Sequence, residues 1–261
     1  MHAAQSTQQP LKTGEPYKLL NQFLSVIIPA YNEENRLPET LEQIIRFLKT
    51  QPFPAEIIVV ENGSRDRTYE IAQEFAQKND NVRAIRNDQR GKGLAIQRGV
   101  AEAKGEYVFM CDADLSMPVE EIGKFLPPQL NNVDIAAGSR EAPGAVRYNE
   151  PYYRHFTGRV FNTLIRLLVL PTLQDTQCGF KCIRADVARD IFRYQTLTGW
   201  AFDVELLYIA RLHGYQIVEI PIDWYFNADS KISVLRDSLR MFLDLLLIRR
   251  NARRGLYDPK P

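Results

Sequence analysis

Apolar runs alternating with helical periodicity decide what the first half of this chain can fold into. The runs are Phe23–Ile28 (FLSVII), Glu56–Val60 (EIIVV), Val82–Arg86, Tyr107–Cys111 (YVFMC) and Val133–Arg140 (VDIAAGSR). Except in the weaker Val82–Arg86, their apolar residues are largely consecutive rather than alternating, as in strands buried on both faces. Between them Leu37, Leu41, Ile44, Ile45 and Leu48 fall at helical spacing, as do Ile71, Ala72, Phe75 and Ala76. Further helices are predicted from about Lys92 to Lys104 and from about Val119 to Leu130. The rhythm predicts an α/β fold, a mostly parallel sheet with helices on both faces. Such sheets bind ligands at the C-terminal ends of their strands.

The residues at those ends are PAYNEE, ENGSRD, DADLS and GSR. Loops are polar in any protein, but here acids, amides and an arginine recur along one predicted edge. Asp112-Ala113-Asp114 is the sharpest case. One aspartate after a strand is an ordinary loop start or helix cap. Two this close raise each other's pKa unless a cation sits beside them. The pair is therefore either a turn or a site for a hard cation, Mg²⁺ or Mn²⁺, and taken alone it does not separate the two.

The second half is organised differently. Glu141–His155 reads as a mobile loop, about Arg154 to Leu170 as a helix, and ADVARDIF and AFDVELLYIARL as two more. Tyr215–Phe226 reads as a strand broken by Pro221, and the chain ends in a further apolar helix. With no repeat or low-complexity linker, 23–250 is one domain, its two differently organised halves meeting at about residue 140. Residues 1–22 read as a disordered tail without a secretory apolar core, and 251–261 as a basic tail.

Composition excludes several functions. Lys plus Arg is 33 against Asp plus Glu 32, so net charge gives no case for nucleic acid. Cys111, Cys178 and Cys182 make no CxxC pair and no even disulfide set, and read as small buried hydrophobes in a reducing compartment. His2, His155 and His213 are too scattered for zinc or a triad. PAYNEENR lacks the GxGxxG of a dinucleotide site, and the GKG at Gly91 lacks Walker spacing. A nucleotide-sugar transferase fits better. Its nucleoside diphosphate leaves with growing negative charge, which carboxylate-held metal and a nearby Arg or Lys would stabilise.

SVIIPAYNEENRLPETL, DADLS, GSR, DTQCGFK and WAFDVELLYIA, in this order from Phe23 to about Arg250, together resemble the family 2 glycosyltransferases of GT-A fold. The last two motifs resemble the dolichyl-phosphate glucosyltransferases; the wider pattern is shared with the mannose synthases. The resemblance implies a base and ribose pocket of Pro29, Tyr31, Glu33, Val60 and Asn62. It implies Asp112, Ala113 and Asp114 at the diphosphate and metal, with Ser116 completing the metal shell. Arg140 would hold a phosphate, Lys231 the donor diphosphate, and Asp175, Asp203 and Glu205 would stand near the sugar. On this reading Asp112, Asp175, Arg140 and Lys231 carry the reaction. The acids Asp203 and Glu205 also suit a helix N-terminus. Three departures accompany the likeness. Glu61-Asn62-Gly63-Ser64 replaces Asp-Asp-Gly-Ser. Tyr225 stands where mannose synthases have an arginine, which favours the glucosyl branch and UDP-glucose. The spanning helices of many relatives have no counterpart.

A polyprenyl phosphate acceptor is already anionic near neutral pH, its second pKa being about 6, so no strong base is required. In-line displacement would convert an α-linked donor into a β-linked lipid. No apolar run reaches the roughly 20 residues of a spanning helix. MFLDLLLI followed by Arg249, Arg250, Arg253 and Arg254 instead suits a helix lying on an anionic membrane. The expected location is the cytoplasmic face of a membrane, held peripherally. Core packing or a dimer contact is the competing reading for both apolar helices. A mannosyl donor, a soluble or polysaccharide acceptor, and a non-catalytic binding module are the alternative functions.

Overall fold

The computed structural model describes residues 23–227 and 234–259. Its first half follows the expected alternation. Strands β1 (Leu24–Ala30), β2 (Ala55–Glu61), β3 (Val82–Arg86) and β4 (Tyr107–Met110) are joined by helices α1 (Leu37–Lys49), α2 (Thr68–Lys78) and α3 (Lys92–Glu102). Then come a 3₁₀ segment, Val119–Phe125, and β5 (Ile135–Ser139). The second half holds β6 (Val146–Tyr148), α4 (Tyr152–Leu168), β7 (Lys181–Arg184), α5 (Ala185–Ile191) and α6 (Phe202–Leu212). It ends with β8 (Ile217–Pro221), β9 (Asp223–Tyr225) and α7 (Val234–Arg253).

The main sheet has the order β3-β2-β1-β4-β7-β5-β8. All its pairings are parallel except those of β7, which runs antiparallel to both β4 and β5. Apolar side chains alternate between two cores. Val26 and Ile28 face α1, while Ile27 faces α3. Gly99 lets α3 lie directly on β1: a Cβ there would stand 2.4 Å from Ile27 Cγ2.

The differences from expectation are local. The predicted 119–130 helix is only the 3₁₀ segment, because Pro127 and Pro128 remove two backbone donors just after it. Glu141–His155 contains β6, which pairs in parallel with β9. Residues 251–259 are not a tail. α7 continues to Arg253, and the chain then folds back to bury Tyr257 completely. The Tyr257 hydroxyl donates to Glu205 Oε1 at 2.7 Å, and its carbonyl lies 2.8 Å from His213 Nε2. The cysteines are free and buried as expected, and burial pushes the Cys178 thiol up to about 11.

Candidate active site

β4 ends at Met110, and the chain turns through Asp112, Ala113 and Asp114. Ala113 is buried, and its carbonyl accepts from Thr40 Oγ1 of α1 at 2.7 Å, which fixes the turn against the body. Asp114 accepts from the Ser116 backbone N–H at 3.2 Å. Burial, and next the charge of Asp112, raise the Asp114 pKa; Arg36 works against them. Lys92 counters the other acid. Its Nζ lies 2.6 Å from Asp112 Oδ1. The second Asp112 oxygen faces Gly179, where a Cβ would come within 1.9 Å of it. Asp112 is thus clamped between an ammonium and a bare backbone.

Charges of alternating sign continue from there. Burial disfavours the Lys92 ammonium, but Asp112 and then Asp203 hold its pKa above the ordinary value. Asp203 Oδ1 accepts from the buried Lys181 at 2.8 Å, and Lys181 also donates to the Cys178 carbonyl. The Lys181 charge acts in turn on Asp175. Asp175 is fully buried and takes the Arg140 guanidinium in a two-pronged pair, Nε at 2.7 Å and Nη2 at 2.9 Å. Burial would raise the Asp175 pKa, yet Arg140 brings it down to about 2. Arg140 also lies 5.4 Å from the ring centre of Trp224. The β6–β9 ribbon roofs this end: Tyr148 and Tyr225 stack at 4.5 Å, and the Tyr225 N–H donates to the Ser116 carbonyl at 2.7 Å.

The candidate nucleotide side is assembled from β1 and β2. Arg90 lies over the Tyr31 ring at 4.2 Å. Glu33 pairs with Arg36 through both oxygens, at 2.7 and 2.9 Å. Asn62 Oδ1 accepts from the Gly91 N–H at 2.9 Å, tying the end of β2 to the start of α3. Pro29 stands opposite Val60 in the β1–β2 register. The Val60 side chain is completely buried in the core between sheet and α3, so only its backbone remains to line a pocket.

Several residues therefore hold places other than those the resemblance implied. Asp175 is fully buried beneath Arg140 and orients that guanidinium. Asp203 is buried on Lys181. Glu205 is completely buried, accepting from the Thr196 and Leu197 N–H groups, Thr196 Oγ1 and Tyr257 OH. It is a brace between α6, the 194–200 loop and the C-terminal segment. Lys231 lies outside the described residues. Sequence reasoning missed Lys92, Gly179 and Lys181. Lys92 did leave a signal, since a lysine in the first turn of a helix opposes the macrodipole.

Among the described residues no cluster of three or more His, Cys, Asp or Glu forms a metal site. The donor set suits a hard cation shared with phosphate: two carboxylates and the Ser116 hydroxyl, with remaining positions left to the diphosphate and water. Lys92 shows that a cation is already accommodated against Asp112.

On this sheet order, with an acid pair at the end of β4 closed by Lys92 on Asp112, the chain has the architecture of a GT-A-type transferase. The model of the family described as Glycosyl transferase family 2 matches residues 25–192, and the chain belongs to that family. A human dolichyl-phosphate beta-glucosyltransferase is 37% identical over 243 residues, covering 87% of this chain and 74% of that protein. One from Trichomonas vaginalis is 34% identical over 250 residues, covering 91% and 74%. In fold the chain is similar to glucosyl-3-phosphoglycerate synthase of Mycobacterium tuberculosis solved with Mn²⁺, UDP-glucose and phosphoglyceric acid. That likeness has a TM-score of 0.66 at 18% identity and covers 90% of this chain and 80% of that one.

Proposed function

We propose that this enzyme transfers glucose from UDP-glucose to a dolichyl-type polyprenyl phosphate, with inversion at the anomeric carbon, at the cytoplasmic face of a membrane. The observation that carries the reading is the Asp112/Asp114 pair at the end of β4, braced by Lys92, in a chain 33–37% identical to dolichyl-phosphate beta-glucosyltransferases over most of its length.

Asp112 and Asp114, with Ser116, would hold Mg²⁺ or Mn²⁺, which supplies neutralisation of the departing diphosphate. Lys92 is the mobile counter-charge: it rests on Asp112 in the free enzyme and turns to phosphate oxygens when the donor arrives. Arg140, held flat by Asp175 and packed beside Trp224, presents the rest of its guanidinium to a phosphate. Lys231 is assigned to the donor diphosphate by its motif alone. The base and ribose lie against Tyr31 and the backbone at Val60 and Asn62. No general base is needed, because the acceptor phosphate is already an anion; positioning and charge do the work. Tyr225 stacks on Tyr148 where mannose synthases have an arginine, which supports the glucosyl branch.

The test is a donor panel with dolichyl phosphate and Mn²⁺. UDP-glucose should give a solvent-extractable glucolipid, and excess chelator should abolish it. Clear preference for GDP-mannose overturns the donor assignment, and turnover surviving the chelator overturns the metal.

A further inference from the structure

α4 is a helix of 17 residues in which only Ile165 is buried. Tyr152, Tyr153, Phe156, Val160 and Leu167 stand exposed along it, Leu167 at 77%. Phe156, Val160 and Leu167 share one stripe by their spacing, and Tyr152 extends it to about 22 Å at 1.5 Å per residue. One end of the helix is beside the active site, where Arg154 lies 5.3 Å from the Phe226 ring and Arg147 donates to the Arg140 carbonyl at 3.1 Å. The other end meets α7 and borders a cleft of about 500 Å³. Leu167, Leu168 and Leu246 form the apolar part of its wall, and Arg249, Arg250, Arg253 and Arg254 supply the rest.

Cations at a helix C-terminus complement its dipole. Arg249 does this work between helices, donating to the Leu168 carbonyl at 3.1 Å. Arg250 and Arg253 stand in the last turn of α7 and complement its own dipole, but that does not explain why all four arginines open onto one cleft. Arg250 and Arg254 are four residues apart, so they repel, and among the described residues no acid lines the cleft. A cavity with an apolar wall and several guanidinium groups matches an amphiphile with a phosphodiester head.

We propose that the α4–α7 cleft is a discrete site for the phosphodiester headgroup of an anionic bilayer lipid, with the α4 stripe lying in the interface beside it. This rests on the reading that the enzyme works at a membrane face, and it adds a defined pocket to that reading. The headgroup site and the catalytic mouth lie at opposite ends of one helix, so occupancy of the cleft levels the mouth with the bilayer surface where a lipid phosphate would be presented.

The experiment is flotation of the full chain with phosphatidylcholine vesicles, with and without phosphatidylglycerol. Wild type should bind the anionic vesicles. Arg250→Gln/Arg253→Gln should weaken binding about 30-fold, about fivefold per charge. Arg250→Lys/Arg253→Lys keeps the charge but loses the planar fork, and should still weaken binding about fivefold or more. Turnover of a short, water-soluble polyprenyl phosphate should stay unchanged in both variants, confirming that they fold. If the lysine variant binds like wild type, attraction is diffuse: the cleft proposal falls and the membrane reading stands. If wild type ignores anionic vesicles at low salt, both fall. If instead the glutamine variant converts a dimer to a monomer without changing vesicle binding, a second copy occupies the cleft and the proposal is overturned.

Discussion

Replacing Gly179 with alanine should damage catalysis far more than stability. The new Cβ would stand 1.9 Å from Asp112 Oδ2 and 2.4 Å from its carboxyl carbon. Relaxed carbon–oxygen contacts begin near roughly 3.3 Å, so the carboxylate must move by about 1.4 Å. The atom that yields is a side-chain terminus, which keeps the folding cost near the low end for overpacking, about 1 kcal/mol. The same movement pulls Oδ1 off Lys92, now 2.6 Å away, and misaligns the acid pair. A displacement of about 1 Å in a positioning group can cost about 100-fold in rate. Gly179→Ala should therefore unfold in urea almost like wild type, yet lose about two orders of magnitude in kcat and bind Mn²⁺ more weakly. Gly158→Ala is the control: nothing lies within 4 Å of a Cβ there, and a mid-helix alanine should add up to about 1 kcal/mol of stability. A folded Gly179→Ala enzyme with wild-type kcat and Mn²⁺ affinity would refute the assignment of Asp112.

Asp175→Asn should leave Arg140 charged and poorly compensated, costing about 3–5 kcal/mol. In wild type the Asp175 pKa falls from the ordinary 3.8 to about 2, a depressed acid whose contribution is complete above about pH 4 and lost as pH falls through about 2. That contribution is about 2 kcal/mol, and urea titrations across this range should show it in wild type and not in the variant. Lys92→Met should tighten Mn²⁺ binding by calorimetry, because the competing ammonium is gone, while kcat falls by about 100-fold or more; unchanged kcat would remove Lys92 from the reaction. Glu205→Gln should lower stability by about 2 kcal/mol or more through its buried donors, with the donor KM of the folded fraction unchanged; a selective rise in that KM would return Glu205 to the sugar site.

The strands of the first half were legible because burial forces apolar runs, and their C-terminal edge located the acid pair; β6, inside a segment read as a loop, was not. Asp112 and Asp114 stood out because capping accounts for one acid more readily than for two separated by a single residue. Other features leave no local trace. KCIR, two apolar residues between two basic ones, carries no strand signal, so β7 itself was missed along with its reversed direction. Lys181 looks like a solvent lysine until Asp203, 22 residues on, supplies its partner. Glu205 sits in the first turn of α6, where any acid is welcome; Tyr257, which donates to it, is 52 residues further along. The Gly179 contact with Asp112 joins residues that only the fold brings together. Val60 illustrates the converse: a motif indicates where a residue lies on a strand, not which face its side chain takes.

The reversed strand has a consequence for how this enzyme could have been put together. β7 comes from the second half of the chain but lies between β4 and β5, hydrogen-bonded to each. A fragment ending near residue 140 would keep β4 and β5 with no strand between them. The two halves of the chain, divided near residue 140, are thus not modules that can be recombined, and no cut at their boundary should yield two folding pieces. Nor can they part like a clamshell without tearing a ladder. Variation is more readily introduced around the rim, in the β6–β9 ribbon and α4, while the interleaved sheet is inherited whole.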